Sequence, residues 1–197
     1  IAFRAWTVDV FGDGQGAKRV LLQEDVLNSA THAVWDGFTI RNGNSGTGAG
    51  VYINSHVTLE NCVIEDNTAS AFGGGIYVNS PSSNNQVSLI HCQLLNNSAS
   101  MGGGICDRSG VTLTNCVIAN NTADMGGGIY TRGKCELINC DVVMNEALSD
   151  FGGIHNESHY STYTSSIFWG NVASNAYAQY EGSATFQYCA VQGGAEV

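Results

Sequence analysis

The feature that most limits how this chain can fold is a repeat: a cysteine, an asparagine five residues later, and then a run of glycines. Its four full copies are NCVIEDNTASAFGGGIY at 61–77, HCQLLNNSASMGGGIC at 91–106, NCVIANNTADMGGGIY at 115–130 and NCDVVMNEALSDFGGIH at 139–155. Weaker copies place Gly37, Ser166 and Cys189 at the position of the cysteine, so seven anchors follow one another at intervals of 23 to 30 residues. Self-similarity at such a period is typical of a solenoid, in which each repeat adds one coil.

Side-chain alternation indicates which kind of solenoid to expect. Apolar residues lie two positions after the anchor and again three positions before it: Ile64, Leu94, Ile118, Val142 and Phe168, and Leu59, Leu89, Leu113, Leu137 and Tyr163. The position directly after the anchor is mixed, with Gln93 and Asp141 among its residues. Period-two alternation over short segments predicts strands. We therefore predict an all-β fold, a parallel β-helix solenoid with three short strands per coil, about 24–25 residues per coil and seven to eight coils, filling residues 1–197 as a single domain.

Stacked coils would align the repeated residues into ladders. The first ladder lies in the interior and consists of Cys62, Cys92, Cys116 and Cys140. The second lies at a bend and consists of Asn42, Asn67, Asn97, Asn121, Asn145 and Asn171. A buried free thiol behaves as a small apolar group, and asparagine tolerates a left-handed backbone while its amide can bond to the copies above and below. The glycine runs, ending at Gly75, Gly104, Gly128 and Gly153, would supply turn dihedrals that other residues avoid.

The seven cysteines are predicted to be free thiols without a metal. Stacking brings the anchor cysteines close, but parallel side chains suit a disulfide poorly. No CxxC pair or cysteine and histidine spacing points to zinc.

Composition limits the partners. Seventeen acidic residues against seven basic ones give a formal net charge of −10, which argues against nucleic acid, because phosphate binding needs clustered Lys and Arg. No stretch approaches the roughly 20 apolar residues of a membrane span. The chain opens on IAFRAW without a start methionine, so we expect it to be a fragment of a longer protein. An uncapped end would expose unpaired strand edges, so we expect the fragment either to continue into a further domain or to associate end to end with another copy.

The repeat, written NC.I..N.A...GGGIY, resembles the right-handed parallel β-helix repeats of bacterial surface and secreted proteins, among them those described as polymorphic outer-membrane-like and pectate-lyase-like. DGFTIRNG at 36–43, SIFWGN at 166–171 and CAVQGG at 189–194 are similar to the opening and closing coils of such proteins. The resemblance covers essentially the whole chain and implies a right-handed parallel β-helix. Lyases, hydrolases, adhesins and passive stalks share this fold, so it leaves the activity open.

Candidate catalytic residues must be sought off the repeat. The chain lacks the paired aspartates and the Gly-His-Gly element of polygalacturonase-like glycosidases. A pectate-lyase-like reaction needs calcium held by acidic residues and an Arg or Lys as base, for which Arg108 and Arg132 are the candidates. Each lies three residues after a strand-opening isoleucine, so they should be one coil apart on one face, with Glu157 in the same row and Asp107 beside Arg108. The alternative is a solvated stripe with one Arg–Glu pair across coils.

A second row is aromatic. Tyr52, Tyr77, Tyr130 and His155 follow the glycine runs, interrupted by Cys106, and alternation predicts that this row points outward. Together with Glu157, it is a candidate binding surface for sugar rings or for a partner protein. Cross-strand aromatic packing explains the same residues equally well. The loop at 79–86 lengthens one repeat and is a further place where a ligand could bind.

Regular rows of side chains favour a module over an enzyme, because catalysis needs a few irregular polar groups that converge in a groove. We therefore expect a non-catalytic extracellular or cell-surface β-helix module for adhesion, glycan contact or self-association, which needs no cofactor. The alternative is a polysaccharide lyase or glycoside hydrolase acting on acidic glycans, with calcium in the case of a lyase. The expected partners are a polysaccharide, a surface protein or, end to end, a second copy.

Overall fold

The computed structural model describes residues 2–11, 21–23, 32–79, 87–174 and 178–192, which form strands joined by bends, turns and short irregular segments. The loop at 79–86, apart from its first residue, lies outside these ranges. The first nine strands are β1 Ala2–Phe11, β2 Leu21–Gln23, β3 Ala33–Arg41, β4 Asn44–Thr47, β5 Val51–Ile53, β6 Val57–Glu60, β7 Val63–Glu65, β8 Thr68–Phe72 and β9 Ile76–Val78. The next nine are β10 Val87–Ile90, β11 Gln93–Leu95, β12 Ser98–Met101, β13 Ile105–Asp107, β14 Val111–Thr114, β15 Val117–Ala119, β16 Thr122–Met125, β17 Ile129–Thr131 and β18 Cys135–Ile138. The last nine are β19 Asp141–Val143, β20 Glu146–Asp150, β21 Ile154–Asn156, β22 Ser161–Thr164, β23 Ile167–Trp169, β24 Val172–Ala173, β25 Tyr180–Glu181, β26 Ala184–Gln187 and β27 Ala190–Val191.

These strands stack into three parallel sheets that wrap one core. Sheet A has the order β26-β22-β18-β14-β10-β6-β3-β7-β11-β15-β19-β23-β27, with β1 paired to β3. Sheet B has the order β24-β20-β16-β12-β8-β4, and sheet C has the order β2-β5-β9-β13-β17-β21-β25. Every pair is parallel, and its partners come from successive repeats, as between Leu89 and Leu113. The predicted parallel β-helix is therefore confirmed, with about six turns in the described residues rather than the seven to eight expected.

Sheet A bends in the middle of each later coil, which gives four short strands per coil where three were predicted. Only β3 runs through, and it pairs with β6 along its first half and with β7 along its second. The predicted apolar positions form the core that the three sheets enclose, and Leu59, Leu89, Leu113 and Leu137 are all 0 % exposed.

Left-handed residues recur at three positions of the repeat and produce its bends. The first set precedes the cysteine row: Gly37, Asn61, His91, Asn115, Asn139, Ser165 and Tyr188. The second precedes the asparagine ladder: Asn42, Asp66, Asn96, Asn120, Met144 and Gly170. The third begins the glycine run: Gly48, Gly73, Gly102, Gly126 and Phe151. The expectation that the ladder asparagines are themselves left-handed is wrong, because the residue before each of them takes that conformation.

The weak first repeat lies one residue away from its predicted register. Ile40 pairs with Ile64, so Asn42 corresponds to Asp66 and Gly43 occupies the ladder position. The backbone N–H of Gly43 donates to Oδ1 of Asn67 at 2.9 Å, which is how this coil joins the ladder. Asn42 is therefore a bend residue and not a ladder member.

The asparagine ladder is confirmed as a continuous buried network. The Nδ2 groups of Asn67, Asn97, Asn121 and Asn145 each donate to Oδ1 of the asparagine one coil further on, at 2.9 to 3.0 Å, and the last acceptor is Asn171. Each Oδ1 also accepts the backbone N–H of the previous asparagine, as Asn121 does from Asn97 at 2.9 Å. The side chains thereby satisfy backbone groups at a bend where the sheet ladder is interrupted.

The cysteine row likewise provides hydrogen-bond partners for backbone groups at a bend. The Cys116 thiol shares its one proton between the carbonyl oxygens of Thr114 at 3.3 Å and Leu89 at 3.4 Å, and it accepts the backbone N–H of Cys92 at 3.4 Å. Ser166 occupies the same row, donates to Thr164 at 2.9 Å and accepts from Cys140 at 3.1 Å. The anchor cysteines are free, as predicted, but they are hydrogen-bonding bend residues as well as apolar filling.

Replacing Cys116 with serine should therefore change the free energy of unfolding by no more than about 1 kcal/mol, because Ser166 shows that a hydroxyl fits this row. Replacing it with alanine should cost about 2 kcal/mol, since both the hydrogen bonds and part of the core volume are lost. Urea unfolding monitored by circular dichroism measures both variants. A serine variant less stable than the alanine variant would contradict the bend role.

Candidate functional site

The first residue after each of the strands β5, β9, β13, β17 and β21 of sheet C forms a regular surface row, here called the exit row: Asn54, Asn79, Arg108, Arg132 and Glu157. Backbone hydrogen bonds set its stacking, for Arg108 N donates to the Val78 oxygen at 3.0 Å and Arg132 N to the Asp107 oxygen at 2.8 Å. Glu157 N donates in the same way to the Thr131 oxygen at 2.9 Å. Arg108, Arg132 and Glu157 thus lie one coil apart on one face, as predicted.

Tyrosine hydroxyls link successive coils along the exit row. Asn79 Nδ2 donates to the Tyr52 hydroxyl at 3.3 Å, and Arg108 Nη1 donates to the Tyr77 hydroxyl at 3.4 Å. The Tyr130 hydroxyl donates to Glu157 Oε1. In each case a tyrosine of one coil binds the exit-row residue of the next coil. The tyrosine hydroxyl therefore makes the same contact with an amide, a guanidinium and a carboxylate. This indicates that the contact joins neighbouring coils and does not depend on one type of functional group.

Arg132 and Glu157 form the predicted Arg–Glu pair across coils. Nε of Arg132 lies 2.9 Å from Oε2 of Glu157, and Nη2 lies 3.4 Å from Oε1. The guanidinium also lies over the Tyr130 ring at 5.7 Å, and His155 Nε2 approaches Oε1 of Glu157 at 3.7 Å. Both side chains are exposed by 40 % or more, so solvent screens the pair and its contribution to stability is small.

The charges of this cluster favour a fixed ion pair over proton transfer. The hydrogen bond with Glu157 raises the pKa of Arg132, and the bond with the Tyr77 hydroxyl raises the pKa of Arg108. Burial alone would raise the pKa of Glu157, but the bonds from Tyr130 and Arg132 outweigh it and hold that pKa below its ordinary value. Burial, together with the contact to Glu157, raises the pKa of Tyr130 to about 12. A guanidinium with a raised pKa is a poor base, because it gives up its proton less readily.

The aromatic row lies outside the core, as alternation predicted, but it is not an open surface. Tyr77 and Tyr130 are 4 % and 3 % exposed, and with Cys106 they form a separate cluster. Phe72, Met101 and Met125, at the ends of the sheet B strands, pack against that cluster. The expected exposed platform is therefore wrong for these two tyrosines, because bulky residues just before the glycine runs cover them.

The rings of the aromatic row pack against one another between successive coils. Tyr130 and His155 are stacked with ring centroids 4.9 Å apart, and Tyr52 meets Tyr77 edge-on at 5.4 Å. Phe151 occupies the position where other coils have a glycine, and its ring centroid lies 5.1 Å from that of His155. The cross-strand packing explanation accounts for these contacts.

Asp107 does not join Arg108 in a surface patch, because its side chain points into the molecule and is 0 % exposed. Oδ1 accepts the backbone N–H groups of Ser109 at 2.9 Å and Gly110 at 2.8 Å, and Oδ2 accepts the Thr131 hydroxyl at 2.8 Å. Asn156 occupies the same row two coils on and accepts the N–H of Ser158 at 3.0 Å. The carboxylate therefore closes the turn that follows sheet C.

Replacing Asp107 with asparagine should preserve the fold, since Asn156 performs this role with an amide. The asparagine variant should unfold with a free energy within about 1 kcal/mol of wild type near neutral pH, whereas alanine should cost about 2 kcal/mol because Ser109 and Gly110 lose their acceptor. Denaturant unfolding of both variants measures this. Equal losses for asparagine and alanine would contradict the proposed turn role.

Comparing wild type with D107N also predicts how stability depends on pH. Burial raises the pKa of the Asp107 carboxyl above its ordinary value, although its three hydrogen bonds act in the opposite direction. Because the folded chain holds this proton more tightly than the unfolded chain, the resulting stabilisation is complete below about pH 4 and is lost as the pH rises through the folded pKa. The stability of D107N relative to wild type should therefore increase as the pH is raised from about 3 to about 7. A relative stability that falls over this range would contradict the raised pKa.

Sequence reasoning missed a groove beside the turn after β21. This groove has a volume of about 500 Å³ and is lined by Lys134, His159, Tyr160, Ser161, Thr162 and Thr185. The signal was available: the interval from Cys140 to Ser166 is 26 residues where the two preceding intervals are 24. One of the two additional residues falls in this turn, since residues 157–160 replace the three residues 132–134 of the previous coil.

Among the described residues, no group of three or more His, Cys, Asp or Glu side chains is placed to hold a metal ion. The same part of the chain contains no helix with the length and apolar character that a membrane crossing requires.

Comparison with known proteins agrees with this architecture. Residues 26–167 match the family described as "Right handed beta helix region". No curated protein and no solved structure matches the chain. The matched range takes in all four full copies of the repeat and well over half of the sequence. On this match, together with the stacked parallel sheets, the chain belongs to the right-handed β-helix family.

Proposed function

We propose that this chain is a non-catalytic β-helix module that works outside the cell and contacts polysaccharide. The observation that carries the proposal is the pairing within the exit row: Arg132 is bound to Glu157, Arg108 to the Tyr77 hydroxyl, and Asp107 is turned into the protein. The groups that would serve a lyase on this face are joined to one another along the stack, where they stabilise the coils. A module of this kind requires no cofactor, and calcium would enter only in a lyase reaction.

Polysaccharide suits a solenoid as a partner because both are linear repeats. A sugar chain can contact several coils at once, so weak contacts add up without any single deep pocket. The net charge of −10 favours neutral over acidic chains, because an acidic polymer would be repelled by the surface as a whole.

Retention on insoluble polysaccharides tests this function. The chain is mixed with neutral polymers such as cellulose, mannan and xylan, and with calcium-crosslinked pectate, and the bound and free fractions are measured after sedimentation. We expect retention on at least one neutral polymer that persists at high salt. Release by salt from every polymer, or retention on none, would overturn the proposal.

End-to-end contact between copies is a second proposed mode of association. Within the described residues, β24, β25, β26 and β27 each stand at one end of a sheet order, and a strand edge is a template for further pairing. Sedimentation velocity over a concentration series that shows monomer throughout would rule this mode out.

A further inference from the structure

The turn between β21 and β22 is held rigidly by a buried hydrogen-bond network. Asn156 Oδ1 accepts the backbone N–H of Ser158 at 3.0 Å and the Ser161 hydroxyl at 3.1 Å. The Ser158 hydroxyl accepts the N–H of Tyr160 at 3.3 Å, and the Ser161 hydroxyl accepts the N–H of Cys135 at 3.2 Å. Asn156, Ser158 and Ser161 are all buried. The position of this turn is therefore fixed by the interior of the β-helix.

The same turn presents an aromatic ring to solvent. Tyr160 is 77 % exposed, and His159 beside it is exposed as well. In contrast, Tyr77 and Tyr130 of the aromatic row are covered. An exposed aromatic residue on a fixed turn has already lost the backbone freedom that a flexible loop would lose on binding a ligand, which favours recognition.

The groove beside Tyr160 carries the other groups that a sugar ring needs. Thr162 and Thr185 pair in register on the outward face of sheet A, where they line the groove together with the Tyr160 ring. Hydroxyl groups can donate to and accept from sugar hydroxyls, and an aromatic face packs against the C–H face of a pyranose. Lys134 and His159 also line the groove.

The charge of the groove selects among sugars. Lys134 forms an ion pair with Glu136, and Glu136 also accepts the Thr112 hydroxyl at 3.3 Å. The ammonium is therefore already neutralised by a carboxylate of the adjoining strand. An acidic sugar would bring a second negative charge toward Glu136, whereas a neutral sugar would not.

We infer that this groove is a binding subsite for a neutral pyranose residue of a polysaccharide, stacked on Tyr160 and hydrogen-bonded to the hydroxyls of Thr162 and Thr185. The inference rests on the proposed function and deepens it, since it assigns the polysaccharide contact to one turn. It also moves that contact from the aromatic row, where the sequence placed it, to a break in the repeat.

Isothermal titration calorimetry of wild type, Y160A and Y188A tests the assignment. The ligands are neutral hexasaccharides of β-1,4-linked glucose, mannose and xylose, with oligogalacturonate as the acidic comparison. Tyr188 is the matched control, because it is 91 % exposed and does not line the groove. We expect one neutral hexasaccharide to bind wild type more tightly than oligogalacturonate, Y160A to weaken that binding at least about ten-fold, and Y188A to leave it unchanged.

Three outcomes would overturn the assignment: unchanged affinity of Y160A, equal weakening by Y188A, or tighter binding of the acidic ligand. Thermal unfolding of Y160A is measured alongside and should match wild type, because the side chain is exposed. Failure of the groove and failure of the function are distinguishable. If Y160A and wild type are retained equally on a neutral polymer, the groove is the wrong site and the function stands. If wild type is retained on no polymer, both the groove assignment and the proposed function are wrong.

Discussion

Replacing Gly103 with alanine is expected to destabilise the β-helix by about 3 kcal/mol or more, a large part of what holds a domain folded. A Cβ at this position would lie 2.5 Å from the oxygen of Thr122, 2.6 Å from the oxygen of Gly127 and 2.8 Å from the nitrogen of Thr122. All three atoms belong to the backbone of the next coil, so no side chain can rotate away. The coils would have to separate locally. Guanidinium unfolding followed by circular dichroism measures the loss.

Gly46 supplies the matched control within the same fold. It lies in β4 of sheet B, and the nearest atom to a Cβ there is the Ser70 hydroxyl at 4.0 Å. G46A should be neutral or more stable by up to about 1 kcal/mol, because alanine restricts the unfolded chain. Similar stabilities for G103A and G46A would show that the coils do not need this close approach.

Replacing Asn121 with alanine is expected to cost about 4 kcal/mol. Its amide makes four buried hydrogen bonds, to the backbone nitrogen and Nδ2 of Asn97, to the oxygen of Leu94 at 2.9 Å and to Oδ1 of Asn145 at 3.0 Å. Alanine leaves these groups buried without their partner. N121D should be at least as damaging, because its carboxylate places acceptors against the oxygens of Leu94 and Asn145.

Asp124 is the control for the ladder, since it lies three residues further along the same coil on the solvent side. D124A should change the free energy of unfolding by no more than about 0.5 kcal/mol. Urea unfolding of N121A, N121D and D124A is the measurement. A loss below about 1 kcal/mol for N121A would contradict the claim that the ladder stabilises the stack.

The interior of this fold follows closely from its sequence. From Cys62 onward, the sequence predicts the rows at the cysteine, at the asparagine and at the apolar positions on either side correctly. Each repeat carries its own anchor, so the interval of 30 residues between Cys62 and Cys92 does not shift the alignment. The Arg132–Glu157 pair also followed from the spacing of the repeats. In the first coil, by contrast, Gly37 corresponds to Asn61 and not to Cys62, and the weak copy gave no signal to show the shift of one residue.

The surface was harder to predict because the environment of a side chain there depends on neighbouring strands and turns. Asp107 was expected beside Arg108 on the surface, yet it shares the inward face of β13 with Ile105, is buried and closes a turn. Burial of Tyr130 depends on Met125, which lies in another strand and is joined to it by a glycine run. Such contacts need the fold before they can be recognised.

The role of the glycines was only half predicted. Gly102 begins its run with φ of 66°, which fits the expected turn conformation. Gly104 ends the run without a left-handed backbone, and alanine is excluded there because a Cβ would lie 2.6 Å from the oxygen of Gly128. Sequence patterns do not separate these two requirements, since both select glycine.

Product release from polysaccharides tests the central claim most directly, which is that the exit row holds the coils together and performs no catalysis. Wild type is incubated with neutral and acidic polymers, with and without calcium, beside an active pectate lyase as reference, and reducing ends and the ultraviolet absorbance of unsaturated sugars are followed. We predict no product above the protein-free control for any polymer, including the one that retains the chain. Calcium-dependent unsaturated product that disappears in R108A or R132A, while each variant remains folded, would contradict the claim and identify a lyase.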